Sequence, residues 1–203
     1  MDTPEATPAQ ERELDRVGAF SDGVFAIAIT LLVLNIEVPR VPGPDLGAAL
    51  KDLTGDLVTY GIGFAVMGLF WIGHHKLFSK LRRSDGRLVL INLVLLALIA
   101  LMPFTTGVLG RYDEPVAVAF YAANVGIALL ADGATELIAR RDGLLVEQRP
   151  GWAPMIGAAW RALVFFISIP IAYVISPSAA KWFWMLLIVV AFSERRLDSS
   201  TLD

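Results

Sequence analysis

The sequence predicts an all-α, polytopic membrane protein with six transmembrane helices and both termini cytoplasmic. Three observations carry that expectation. Hydrophobic residues make up 56% of the 203 and charged residues only 18%, where an average soluble domain is roughly 25% charged. The apolar residues gather in long runs, most of them near the ~20 residues needed to cross ~30 Å of hydrocarbon. The Lys and Arg residues between those runs fall on alternate sides.

Residues 1–15 (MDTPEATPAQERELD) read as a polar N-terminal tail, and no apolar stretch with a small-residue cleavage site precedes the first span. The first span covers about Val17–Ile36 and stops before the turn cluster of Pro39, Pro42 and Pro44. Leu46–Leu53 is too short and too charged to span and is expected at the interface. The second span covers about Leu57–Leu77, with Gly61, Gly63 and Gly68 as small residues that let helices approach closely. The third, Leu88–Val108, carries Pro103 in its far half. The fourth, Val116–Leu137, loses its apolar character at Asp132. A linker with Arg140, Arg141, Arg149 and Pro150 leads to the fifth, Ala158–Ile175. The sixth, Ala179–Phe192, begins after Pro177 and holds Trp182, Phe183 and Trp184; it is short, and a re-entrant or interfacial segment is the alternative. The membrane domain is thus 16–195, followed by a tail at 196–203.

Charge placement tests this count. Numbering the loops alternately, one side receives Arg12, Arg16, Lys76, Lys80, Arg82, Arg83, Arg87, Arg140, Arg141, Arg149, Arg161, Arg195 and Arg196, which is thirteen of the 17 basic residues. The other receives Arg40, Lys51, Arg111 and Lys181. Excess positive charge stays cytoplasmic, which puts both termini there. A wrong number of spans would have mixed the two sets.

Several function classes drop out. With no cysteine there are no disulfides, thiolate metal sites or cysteine nucleophiles. A net charge of -3 gives no reason to expect nucleic acid. No phosphate loop, His-Glu-x-x-His or Gly-x-Ser-x-Gly motif occurs, so neither an enzyme nor a cofactor is expected. Thr105–Gly110 (TTGVLG) lacks the Val-Gly-Tyr-Gly core of a carbonyl filter and reads as a helix end. Asp22 and Asp132 lack the Gly-x-Gly-Asp context of an intramembrane protease. The Asp-Gly steps at Asp22 and Asp132 sit in different surroundings and do not mark a repeat.

The informative stretch is Arg16–Glu37 (RVGAFSDGVFAIAITLLVLNIE), an apolar helix with Ser21-Asp22-Gly23 near its first turn. An ionised aspartate in a bilayer costs on the order of 2.5 kcal/mol or more, so Asp22 must face protein or water. It either caps its own helix locally, locks the helix to a neighbour, or forms an ion or proton site; the unbroken apolar run that follows favours a packed polar network. Ile27, Leu31 and Leu34 recur at steps of four and three with Thr30 beside them, one helix face. At about 100° per residue, Asp22 lies roughly 140° from Ile27. Such a stripe packs against other helices or lines a pore.

At matching depth, Trp71, His74 and His75 end the second span and Asn92 begins the third. Adjacent histidines diverge by about 100° and suit one metal ion poorly. A network of Arg16, Ser21, Asp22, Trp71, His74, His75 and Asn92 would satisfy the polar groups that lipid leaves bare. The matched depth also brings Asp22 within reach of the histidines.

Arg16-x-x-x-Phe20-Ser21-Asp22 followed by GVFAIAITLLVLNI resembles the signature of the transmembrane protein 175 family, the lysosomal potassium channels and their bacterial relatives. Trp71-x-x-His74-His75-x-x-Phe78 and Asn92 with Pro103-Phe104-Thr105 are similar to accompanying family features, and the likeness covers roughly residues 12–195. The resemblance implies a potassium-permeable channel of a bacterial inner membrane: a homotetramer, one six-span unit per chain, with the first helix lining the pore and no carbonyl filter. Ile27, Leu31 and Leu34 would form apolar constriction rings, with Thr30 as a hydroxyl contributor. Arg16, Phe20, Ser21 and Asp22 would tie the first helix to the second and third. Its partners would be lipid, its own copies and permeant monovalent cations, potassium foremost. The competing expectations are a proton-coupled transporter relaying through Asp22 and His74 or His75, and a structural membrane scaffold.

Overall fold

The computed structural model describes residues 7–147 and 151–184. Six helices are bounded within them: α1 (Pro8–Leu31), α2 (Leu46–Asp52), α3 (Thr54–Phe78), α4 (Gly86–Arg111), α5 (Pro115–Arg141) and α6 (Ala153–Val174). A 3₁₀ turn, Leu32–Asn35, prolongs α1. Five of these helices are long and apolar enough to cross a membrane: α1 with its extension, α3, α4, α5 and α6. Of the sixth expected span, Ala179–Phe192, residues 179–184 are helical and 185–192 lie outside the described residues. α2 is the short segment expected at the interface.

α1 begins at Pro8, nine residues before the expected start of the first span at Val17. The cause is local. The Thr7 hydroxyl accepts from the Gln10 amide, the Gln10 side chain accepts from the Thr7 N–H at 3.0 Å, and Pro8 occupies the first helical position, which together satisfy orphan N–H groups and preset φ. Leu14 on this extension packs against a small cluster that includes Leu77, Leu81, Leu88 and Leu144. The same cluster joins two loops. Lys80 and Arg82 exchange backbone hydrogen bonds with Val146 and Leu144, each 2.9 Å, clamping the α3–α4 turn to the α5–α6 connection.

α4 is the central helix, packed against α1, α3 and α5, and α6 docks along α5. Between helices in lipid the drive comes from close packing and polar contacts rather than water exclusion, and small residues set the spacing. On α3 that residue is Gly63, where a Cβ would fall 2.9 Å from Thr106 and 3.2 Å from Leu32. At Gly61 and Gly68, expected to serve likewise, a Cβ would meet nothing within 4 Å among the described residues. The tightest seam is α5–α6, where Gly133 faces the Ala158 methyl. Pro103 sits inside α4 without ending it. Asn35 donates to the Pro103 carbonyl at 2.8 Å and Asn124 to the Leu98 carbonyl at 3.3 Å, so polar side chains of neighbouring elements hold α4 near the proline.

Candidate functional site

Two opposed faces of α1 define the site. Ser21, Phe25, Ala28 and Leu32, spaced 4, 3 and 4 apart, are buried against the rest of the protomer. Ile27, Leu31 and Leu34, spaced 4 and 3 apart, point outward and are 62%, 42% and 73% exposed. No side chain of the described residues covers this second stripe, although its composition is as apolar as the first. Thr30 is exposed beside it and donates its hydroxyl to the Ile27 carbonyl at 2.8 Å. That leaves the Thr30 oxygen lone pairs facing out as acceptors.

On the buried face a directed chain of hydrogen bonds crosses three helices. The Asn92 amide donates to the Ser21 hydroxyl at 3.0 Å, and Ser21 donates to the Val17 carbonyl at 2.9 Å. His74 Nε2 lies 2.9 Å from Asn92 Oδ1. Because the Asn92 N–H is committed to Ser21, its oxygen must accept, so His74 carries its proton on Nε2. Ser21, His74 and Asn92 are all fully buried. His74 is further held between Phe78, stacked at 4.1 Å, and Phe25 at 5.4 Å between ring centroids. Its Nδ1 is buried without a partner among the described residues.

A second, shallower contact stands beside this chain. The Trp71 indole donates to the Asp22 carboxylate at 3.0 Å, and His75 stacks on Trp71 at 5.5 Å. Asp22, Trp71 and His75 are on the protomer surface. The expected network therefore divides in two. Asp22 bonds to Trp71 and to neither histidine, because His74 turns inward to Asn92 while His75 lies over the indole. Arg16 and Phe20, expected in the same cluster, are exposed on the outer side of α1, and no hydrogen bond or ion pair within the described residues engages Arg16.

The residues the sequence reading missed are Phe25, Asn35 and Asn124. Phe25 was legible as the residue one turn beyond Ser21, on the face that carries the polar step. Asn35 and Asn124 are polar residues within apolar runs, a signal in its own right. Asn124 bridges to Thr105 at 3.3 Å as well as to Leu98. Deeper in α5, Asp132 lies mostly buried with Arg161 of α6 at 3.9 Å. Arg161 stands eight residues into α6, within the bounds expected for the fifth span.

At the far end of α1 a cavity of about 970 Å³ opens between the 3₁₀ turn, the start of α3 and the end of α4. Asn35, Glu37, Asp52, Asp56, Thr106 and Arg111 are among its lining residues. Glu37 pairs with Arg111 at 3.2 Å, both well exposed, and contributes little on that account.

Comparison with known proteins falls on the same helices. Residues 16–103 match the sequence model of the family described as the endosomal/lysosomal potassium channel TMEM175. A potassium channel of Streptomyces collinus is 34% identical over 192 residues, covering 90% of this chain and 93% of the relative. A potassium channel of Chamaesiphon minutus is 36% identical over 147 residues, 68% of this chain and 72% of that one. The crystal structure of a lysosomal potassium-selective channel TMEM175 homologue from Chamaesiphon minutus aligns with a TM-score of 0.76 at 28% identity, covering 91% of this chain and 98% of that chain. The chain accordingly belongs to the TMEM175 family of cation channels.

Proposed function

We propose that this protein is a potassium-permeable channel of a bacterial inner membrane, assembled as a homotetramer with its termini in the cytoplasm and α1 of each subunit lining the central pore. The observation that carries the reading is the outward stripe Ile27–Leu31–Leu34. It lies on the helix that the buried Ser21–Asn92–His74 chain fixes to α3 and α4. Four such stripes around an axis make stacked apolar rings. A narrow water column between bulky aliphatic side chains is unstable, so the rings gate by dewetting and pass an ion that sheds water readily, potassium before sodium. Thr30, with its proton turned to its own helix, offers oxygen lone pairs to that ion between the rings. The pore needs no bound cofactor.

Asp22 and the Arg16–Phe20 segment stand at the protomer surface near the cytoplasmic mouth and serve assembly rather than permeation. A proton relay from Asp22 to the histidines finds little in this geometry. The group on Asp22 is an indole, which donates and cannot accept.

Replacing Ile27 by Asn wets the first ring. Potassium flux into liposomes is expected to rise and its preference over sodium to shrink. Flux and preference both equal to the parent would overturn the pore assignment.

A further inference from the structure

We infer that Asn35 is a positioning residue for the constriction: its side-chain amide, bonded to the Pro103 carbonyl, pins the 3₁₀ turn that ends α1 and thereby sets where Leu34 stands. This rests on the pore reading above and adds to it the part that fixes the outermost ring.

The turn is the starting point. α1 stops at Leu31, and Leu32–Asn35 winds more tightly. In a 3₁₀ turn residues three apart eclipse and the rise is ~2.0 rather than ~1.5 Å per residue, so Leu34 stands directly above Leu31 and about 1.5 Å farther along than α winding would put it. Nothing in Leu-Val-Leu-Asn imposes that winding, since the nearest proline, Pro39, is four residues beyond. It is held from outside, by two anchors. Leu32 is completely buried, and Asn35 Nδ2 lies 2.8 Å from the Pro103 oxygen.

α4 is shaped to receive Asn35. Gly107, one turn beyond Pro103, faces the Asn35 amide so closely that a Cβ there would lie 2.5 Å from Oδ1. Any other residue at 107 would push the amide off the carbonyl. Asn35 also borders the 970 Å³ cavity, so water can take over its side-chain amide when the bond opens. The turn can then relax toward α winding without α4 unfolding. The Glu37–Arg111 pair farther out is too exposed to replace it.

The chain has no cysteine, so single thiols report cleanly. Leu34→Cys and Ile27→Cys are introduced separately into the full chain in liposomes. The rate at which a water-soluble methanethiosulfonate reagent modifies each is followed with Asn35 intact, with Asn35→Asp and with Gly107→Ala. Asn35→Asp keeps the size and loses the donor, while Gly107→Ala keeps the donor and blocks its seat. Both are expected to change the Leu34→Cys rate by about fivefold, the shift one net hydrogen bond produces, and the Ile27→Cys rate by less than about twofold. An unchanged Leu34→Cys rate overturns the latch, as does an equal change at both positions, which would mean general loosening of α1. Failure of the pore reading looks different: neither thiol is then reached from water even with Asn35 intact, and the proposal falls with it.

Discussion

Asn92 is the residue on which the buried polar chain turns. Its amide spends both ends, accepting from His74 and donating to Ser21, and so joins α1, α3 and α4 at one point. Removing it strands a buried imidazole N–H, whereas Trp71 holds Asp22 at the protein's edge where water can substitute. Polar pairs between membrane helices are worth ~0.6 kcal/mol on average, and a buried donor left without a partner costs about 1–3 kcal/mol. Asn92→Ala is therefore expected to lower the thermal midpoint in detergent clearly more than Trp71→Phe. A larger loss for the tryptophan variant would place the main lock at the surface pair. At this scale the sequence announced which residues were polar and at what depth, but not their pairing. His74 and His75 sit at almost the same height on α3, and which of them meets Asn92 depends on a rotation that adjacent residues do not reveal.

The long elements were legible because each is an apolar run closed by turn residues or charge, and α3, α4 and α5 fall within a few residues of their expected bounds. α1 departs at both ends, for local reasons. Its start was legible in principle: Thr7-Pro8-Ala9-Gln10 is a capping box with proline in the first turn, and the acidic, proline-bearing context masked it. Thr7→Ala is expected to cost about 1 kcal/mol and to leave potassium flux unchanged, measured as a thermal shift alongside liposome uptake. A change in flux would mean that the helix start reaches the pore. Its end was not legible, because the 3₁₀ turn at Leu32–Asn35 is imposed by Pro103 and Gly107, some seventy residues away in the chain. The wheel did separate Asp22 from the Ile27 stripe, and the structure keeps them on different sides of the helix. Close approach was assigned to three glycines of α3 but uses only Gly63, since which face meets α4 is a property of packing rather than of composition.

At the scale of the whole molecule, alternating basic loops and apolar runs set the membrane fold, and the comparison with known channels agrees. What a single chain leaves open is visible on its surface, where an apolar stripe and a polar corner of the same helix both lack cover. In the proposed tetramer the stripe faces the axis and the corner meets the neighbouring subunit. Asp22→Ala should accordingly reduce the tetrameric fraction, read by size-exclusion chromatography with light scattering, before it touches ion preference. A fully assembled variant with altered potassium-over-sodium preference would put Asp22 in the ion path instead.

In the proposed channel the exposed stripe of α1 lines that path, and Ile27 is its innermost member. Potassium flux through Ile27→Cys channels in liposomes, before and after a water-soluble thiol reagent, tests it most directly in a chain with no other cysteine. Modification should abolish most of the flux, and a reducing agent should restore it. Flux that the reagent leaves untouched would turn Ile27 toward lipid or a neighbouring helix and contradict the account.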